Sequence, residues 1–386
     1  MQGETRPRAT PGRGAKSSGG AAALVLAVTL AAFGFALAQL PAPPDAKVAG
    51  SVAPATPWLV PQPAQSLDRI AFGSCLHQLW PQPILNAVVA ARPQLFLMLG
   101  DNVYGDAKGA SPEALAEAYR VQAAQPGLAA LRAAVPVLAT WDDHDYGKND
   151  AGRELPWKAR SRELFAEFWQ LPPGTLPDGG VYRAVMLGPP GRRVQVILLD
   201  TRSFRSPLAR RPAEEVAVGR LRGPYMPSTA ADQDMLGTAQ WAWLEAELRR
   251  PAELRLLVSS IQVLSDAHRF ERWGNLPDER RRLDEVIART GAKGLVILSG
   301  DRHLSAIYRK PGGKPYAYPE VTSSGLNRAA PATDPEEPVR VGDMYRKVSF
   351  GLIEIDWAAR KLAATIRDEN GRAVIGHEVA LDELSP

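Results

Sequence analysis

A single cysteine, Cys75, stands among 386 residues and excludes an intrachain disulfide. In an exported protein a lone thiol is inert, paired with another chain, or a ligand. Charge of one sign is also scarce. The formal net charge is +4, and Arg6, Arg8, Arg13 and Lys16 against Glu4 alone put three of those charges in the first forty residues. The remainder is near neutrality, without the basic, aromatic-studded surface that binds nucleic acid. Arg280, Arg281 and Arg282 form the one dense basic cluster, on a predicted helix, where they read as a solvated face. There is no internal repeat. No Arg-Arg pair precedes the first apolar run, so twin-arginine export is not supported.

That run, Ala21 to Leu40, follows a polar, basic start and ends near the small residues Ala36-Leu37-Ala38. Residues 1–40 are expected to be a signal peptide or an uncleaved signal anchor, because 18–20 apolar residues just span a bilayer. The protein is therefore expected to be exported, periplasmic or extracellular, touching a membrane only through residues 21–40 if uncleaved. Residues 41–66 hold seven prolines and read as a Pro/Ala-rich linker, with an N-terminal β element around Trp58-Leu59-Val60 as the alternative. Residues 67–386 remain as the catalytic or binding domain, and 45% hydrophobic content supplies its core.

From Arg69 strands and helices alternate. Strands are predicted at 69–74, 95–99, 135–140, 194–199, 254–259 and 295–298, with helices at 82–91, 112–123, 158–169, 238–249 and 277–289. Beyond residue 303 only short β runs follow, at 304–308, 317–322, 349–356, 360–367 and 373–379, with Asn370-Gly371 as a hairpin turn. Strand–helix units followed by a strand-rich tail predict an α/β fold of two sheets packed together with helices outside.

The chemistry sits where the strands stop. The strand at 69–74 runs into Cys75, the second into Asp101 and Tyr104, the third into Asp142, Asp143, His144 and Asp145, and the one at 295–298 into Asp301 and His303. Carboxyl ends of parallel strands are where α/β enzymes gather reactive groups. Carboxylates suit hard cations, while imidazole and thiolate suit iron and zinc. One aspartate between two ligand sets is what a two-metal hydrolytic site requires. Alone, each element is an ordinary turn, core histidine or small core residue. Together they form a metal-site pattern.

The stretches Gly73-Ser74-Cys75, Gly100-Asp101-Asn102-Val103-Tyr104, Trp141 to Asp150 and Gly300-Asp301-Arg302-His303 resemble the PhoD-like branch of the metallophosphoesterases, the alkaline phosphatase D family. Leu198 to Arg205, Leu236 to Leu244, Trp273 with Glu279-Arg280, and Thr322 to Gly325 support it, so the likeness spans roughly residues 68–326. It implies a four-layer α/β/β/α sandwich and an exported, metal-dependent hydrolase of phosphomonoesters or phosphodiesters. It further implies Fe(3+) on Cys75, Asp101, Tyr104 and His303, and Ca(2+) beside Asp101, Asp143 and Asp301, with Asn149 as a further ligand. Other divalent metals are an alternative. The resemblance makes His144 a general acid or electrostatic aid and Arg202 a fork for phosphate oxygens, against a structural histidine and a salt-bridged arginine. Asp142 and Asp145 read as supporting partners or surface carboxylates rather than ligands. Gln262 stands where the wider superfamily has a metal histidine, and Trp141 is expected to pack. The substrate is expected to be a small phosphate ester, a phospholipid or a wall polymer. The competing reading is a non-catalytic envelope binding or scaffold protein, against which the complete ligand set argues.

Overall fold

Apolar runs of four to six residues, each buried on both faces, become strands because only a covered sheet satisfies their backbone groups. The computed structural model describes residues 51–386 apart from 107–108, 217–222 and 331–333, so the expected leader at 1–40 lies outside the described residues. Its strands are β1 (Arg69–Gly73), β2 (Leu95–Leu99), β3 (Val137–Thr140), β4 (Arg183–Leu187), β5 (Val194–Leu198), β6 (Leu254–Ser259), β7 (Leu295–Ser299), β8 (Ser305–Arg309), β9 (Pro319–Ser323), β10 (Arg340–Tyr345), β11 (Ser349–Asp356), β12 (Lys361–Asp368) and β13 (Ala373–Ala380). They form two mixed sheets, one in the order β13-β12-β11-β1-β2-β3 and the other β10-β8-β9-β7-β6-β5-β4. The strands β1, β2 and β3 are parallel, as are β5, β6, β7 and β9.

Side-chain alternation sets the layers. In the first sheet Ile70, Phe72, Leu95, Leu97, Leu99 and Leu138 join the core that contains Val196, Leu198, Leu256, Val258 and Ile297 of the second. Their neighbours Ala71, Phe96, Met98, Val137 and Ala139 turn the other way, toward helices α1 (Ile84–Ala90), α2 (Pro112–Ala123) and α3 (Pro126–Ala134). After a single turn, α4 (Asp143–Tyr146), the longer α5 (Lys158–Phe168) completes that outer layer. On the far side Trp241, Leu244, Leu283, Val286 and Ile287, from two further helices at Gly237–Leu248 and Pro277–Thr290, cover the second sheet. This is the expected four-layer sandwich.

The tail strands fall where the β runs place them, with the Asn370-Gly371 turn between β12 and β13. Elements not expected from sequence include α3, the single turn α4, the short helix Ala213–Val216, β4 and β10. From Ser51 onward the segment lies against the domain, as the alternative for Trp58-Leu59-Val60 allowed, but forms no strand there. There the chain is seated on α5, with the Trp58 ring 4.4 Å from that of Trp169, its indole N–H donating to the Phe168 carbonyl at 3.0 Å, and Ser51 bonded to Glu167 at 2.6 Å. Aromatic burial outweighs the prolines. The Arg280–Arg282 cluster is a paired face: Arg280 meets Asp266, Arg281 meets Asp278 and Glu285, and Arg282 meets Glu279. No helix among the described residues is long and apolar enough to cross a membrane.

The two sheets are stitched at their carboxyl ends. Ser74 pairs with Ser324 in a parallel bridge, and the Thr140 hydroxyl donates to the Leu199 carbonyl at 2.7 Å. Close approach demands glycine. A Cβ on Gly100, whose φ is +111°, would sit 2.6 Å from Asp142 Cβ, and one on Gly300 would sit 2.5 Å from Ser74 Oγ.

Candidate metal centre

Eight described residues other than glycine have positive φ; four of them, Cys75, Asp101, Asp301 and His303, lie at these strand ends, and a fifth, Asp150, follows α4. Such backbone costs on the order of 1–3 kcal/mol per residue and persists where function requires it. The strain turns the donors toward one another. Asp101 Oδ2 accepts from the Cys75 thiol at 3.4 Å and from the Tyr104 hydroxyl at 3.0 Å, and Tyr104 Oη lies 3.2 Å from His303 Nε2. Cys75, Asp101 and His303 form one group whose donor atoms lie within 4.8 Å of one another; Asp101, Asp143 and His144 form a second. Asp101 belongs to both.

Electrostatics point to cations. Burial first, then the Cys75 charge, pushes the Asp101 carboxyl well above its usual range. Burial raises the Cys75 thiol, with Ser324 and Ser74 opposing, and raises Tyr104, with Asp101 adding to it. Burial brings His303 down to about 3. Asp101 Oδ1 and Asp143 Oδ1 are buried with no hydrogen-bond partner. A neutral His303, a thiol, a phenol and two orphaned carboxylate oxygens are donors that a cation would satisfy, and binding would drive the thiol and phenol to their anionic forms. Removing cations with chelator is expected to lower the melting temperature by about 5 °C, the worth of a ligand present at roughly a hundred times its Kd. An unchanged melting curve would show that these carboxylates fold without ions.

His144 and Asp143 open α4. The His144 Nδ1 lies 2.6 Å from Asp106 Oδ1, which fixes the ring and leaves Nε2 as its free nitrogen. Burial would lower its pKa, but Asp143, Asp101 and Asp106 raise it to about 10. Burial would likewise raise Asp143, yet His144, Arg202 and the Asp150 N–H at 2.7 Å hold it below the usual carboxylate range. Asp145 is a strut. It accepts from the backbone N–H of Asp101 at 3.3 Å, of Asn102 at 3.1 Å and of Asp142 at 2.5 Å, and also from the Asn102 amide. Trp141 packs as expected, fully buried against Tyr146 and Phe165.

Several expected roles change on geometry. Arg202 is fully buried and is no fork facing substrate: it bonds Asp142 through Nε at 2.6 Å and through its terminal nitrogen, and Glu271 at 2.5 Å. A buried guanidinium needs such partners. Arg205 adds a second ion pair to Glu271 at 2.7 Å. Asn149 is exposed, donating only its backbone N–H to Asp106 at 2.6 Å; Asp150 instead joins Asp143 and Glu271 in a third acidic group. The amide of Gln262 is fully engaged away from the donors, with His268 Nε2 2.8 Å from its oxygen and its N–H₂ donating to Thr322 at 2.9 Å. Asp301 is partly open to solvent and belongs to none of the three groups, although loss of solvent, then Asp142, raises its carboxyl well above the usual range.

Sequence reasoning missed Asp106, Asp150 and Glu271. Asp106 follows Gly105 two residues past Tyr104 and Asp150 ends the Trp141 stretch, so both had a local signal. Glu271 had none, because its partners lie some seventy residues away.

Two mixed sheets with this site at their joined edge define a metallophosphoesterase-like fold, shared with a purple acid phosphatase from yellow lupin (Lupinus luteus) seeds at TM-score 0.54, 9% identity, covering 83% of this chain and 55% of that one. A structure of PhoD superposes with TM-score 0.65 at 18% identity over 85% of this chain and 72% of that chain. The model of the PhoD-like phosphatase family matches residues 70–337, and the chain belongs to that family. Alkaline phosphatase D of Bacillus subtilis (strain 168) is 26% identical over 198 residues, 46% of this chain but only 33% of that protein. The fold alone does not settle chemistry, since GAP50, the anchor in the inner membrane complex of Plasmodium, shares it at TM-score 0.51 and 11% identity, over 82% of this chain and 89% of that one.

Proposed function

We propose that this protein is an exported metal-dependent hydrolase of phosphoric esters, acting on a phosphomonoester or phosphodiester of a small molecule, phospholipid or wall polymer. The observation that carries the reading is Asp101, shared between a thiol–phenol–imidazole donor set and a carboxylate set. The softer set of Cys75, Tyr104 and His303 with Asp101 suits Fe(3+), and the oxygen side of Asp101 and Asp143, with Asp301 at its edge, suits Ca(2+). Bound there, the cations would supply an activated water and offset charge gathering on the phosphoryl oxygens. His144, its ring held by Asp106, presents Nε2 toward the centre, where it would serve as proton donor to the departing ester oxygen. Arg202 fixes Asp142 and thereby the start of α4, on which Asp143 and His144 ride. Export rests on the apolar run at 21–40, outside the described residues.

The test is hydrolysis of p-nitrophenyl phosphate against bis-p-nitrophenyl phosphate by the purified protein, with calcium and with chelator. Metal-dependent turnover of either ester is expected, and the ratio ranks monoesters against diesters. Folded, metal-replete protein that turns over neither would overturn the reading in favour of a binding or scaffold role.

A further inference from the structure

With Arg202 fully engaged by carboxylates, a different cation must greet an anionic substrate at the mouth. Arg328 lies in the loop after β9 that covers Cys75, its backbone N–H donating to the Cys75 carbonyl at 3.3 Å. Its guanidinium carbon is 4.1 Å from the centre of the Tyr104 ring and 6.0 Å from that of Trp80. Among the described residues it makes no ion pair and no side-chain hydrogen bond, whereas Arg302 nearby is paired with Asp334 at 2.6 Å. Next to it the rings are layered. His77 stacks on Tyr104 at 4.8 Å and 13°, and on Trp80 at 4.8 Å and 10°. Trp80 is 40% exposed. Asn327 locks the two loops together, accepting the His77 N–H at 2.6 Å and donating to the His77 carbonyl at 3.0 Å.

A rigid aromatic wall therefore starts at a residue of the metal centre and ends in solvent, with an open guanidinium along its side. Packing over two rings, worth about 0.5–1 kcal/mol at exposed sites, accounts for where Arg328 rests. It leaves the planar fork of N–H donors unused. That fork matches two oxygens of a phosphate, and a cation at the rim of a carboxylate-rich centre offsets the repulsion an anionic ester would meet. An exposed indole face, held by stacking from behind, suits a flat partner.

We propose that Arg328 and the His77–Trp80 stack form the substrate-recognition subsite: the guanidinium takes phosphate oxygens, and Trp80 packs on a planar leaving group. The preferred substrates are then phosphate esters of aromatic or heteroaromatic character rather than simple alkyl phosphates. This rests on the phosphoester reading above and adds which ester is chosen.

The experiment is steady-state kinetics of the full-length protein and its Arg328→Ala, Arg328→Lys and Trp80→Ala variants on p-nitrophenyl phosphate and on glycerol 2-phosphate, with metal content measured for each. Arg328→Ala is expected to raise KM about tenfold on both esters with kcat within a few fold, and Arg328→Lys to recover part of it. Trp80→Ala is expected to lower the aryl-to-alkyl ratio of kcat/KM about fivefold or more. An unchanged KM, or loss of metal from Arg328→Ala, overturns the arginine assignment; equal losses on both esters in Trp80→Ala overturn the aromatic one. A wild-type protein that hydrolyses neither ester sinks the phosphoester reading instead. Calorimetric binding of inorganic phosphate then decides for Arg328, retained by wild type and lost in Arg328→Ala if the subsite is real.

Discussion

Asp101→Asn is expected to reduce ester hydrolysis by about 10³-fold or more while the protein remains folded. Asp101 is the carboxylate common to both donor groups, so its loss uncouples two cation positions at once. Charge stabilisation by such ions is worth several kcal/mol, and each ~1.4 kcal/mol is tenfold in rate. The fold should tolerate the change because burial already favours the neutral carboxyl, which asparagine imitates, and the amide retains an acceptor for the Tyr104 hydroxyl. In chelator, the variant is expected to melt at or above the wild-type temperature; with cations added, only the wild type should gain. Parallel melting curves with and without metal distinguish these outcomes. Equal stabilisation of both proteins by cations would remove Asp101 from the centre. Cys75→Ala makes the companion test, and substantial residual turnover there would remove the thiolate from the proposed donor set.

Arg202→Ala should unfold the molecule more than any substitution at the donors themselves. The guanidinium compensates Asp142 and Glu271, both buried, and removing it strands Asp142 without a cation and leaves Glu271 with Arg205 alone. Breaking a buried pair costs about 3–5 kcal/mol, which corresponds to a fall in melting temperature of roughly 10 °C for a large domain. Arg202→Lys keeps the charge but cannot reach both partners with a planar fork, so it should recover only part of the loss. Turnover by the folded lysine variant decides the role. Because Arg202 is fully buried behind Asp142, KM should stay within roughly twofold of wild type. A KM raised tenfold or more would return Arg202 to the substrate.

Most of the sheet framework was legible because fully apolar strands stop abruptly at Gly-Asp or Ser-Cys. The same punctuation located Cys75, Asp101, Asp143 and His303, since parallel strands deliver their carboxyl ends to one edge. Pro126-Gly127 hid α3: a proline in the first turn begins a helix as readily as it makes a loop. The half-buried β10 lacks the alternation or continuous apolar run that marks a strand, whereas β4 carries a short one, Ala184 to Leu187, that sequence reasoning missed. For Arg202 the sequence left a phosphate fork and a salt bridge open, because it carries the residue's chemistry but not its burial; the ion pairs to Asp142 and Glu271 select the salt bridge. Asn149 and Asp150 show the limit of spacing. Of these adjacent residues past α4, Asn149 is exposed while Asp150, at φ +57°, joins Asp143 and Glu271.

The bridge between Ser74 and Ser324 also fixes an order of events. Cys75, Asp101 and Asp143 lie within the first 150 residues, yet the Ser324 hydroxyl 3.1 Å from the thiol and the imidazole of His303 come from the last third of the chain. While synthesis is under way, the sulfur lacks its cover and one of its neighbouring donors. Domains complete themselves only when their late segments emerge. The thiol is thus least covered before the chain is finished, and the donor set at this edge is complete only when its last third has been made.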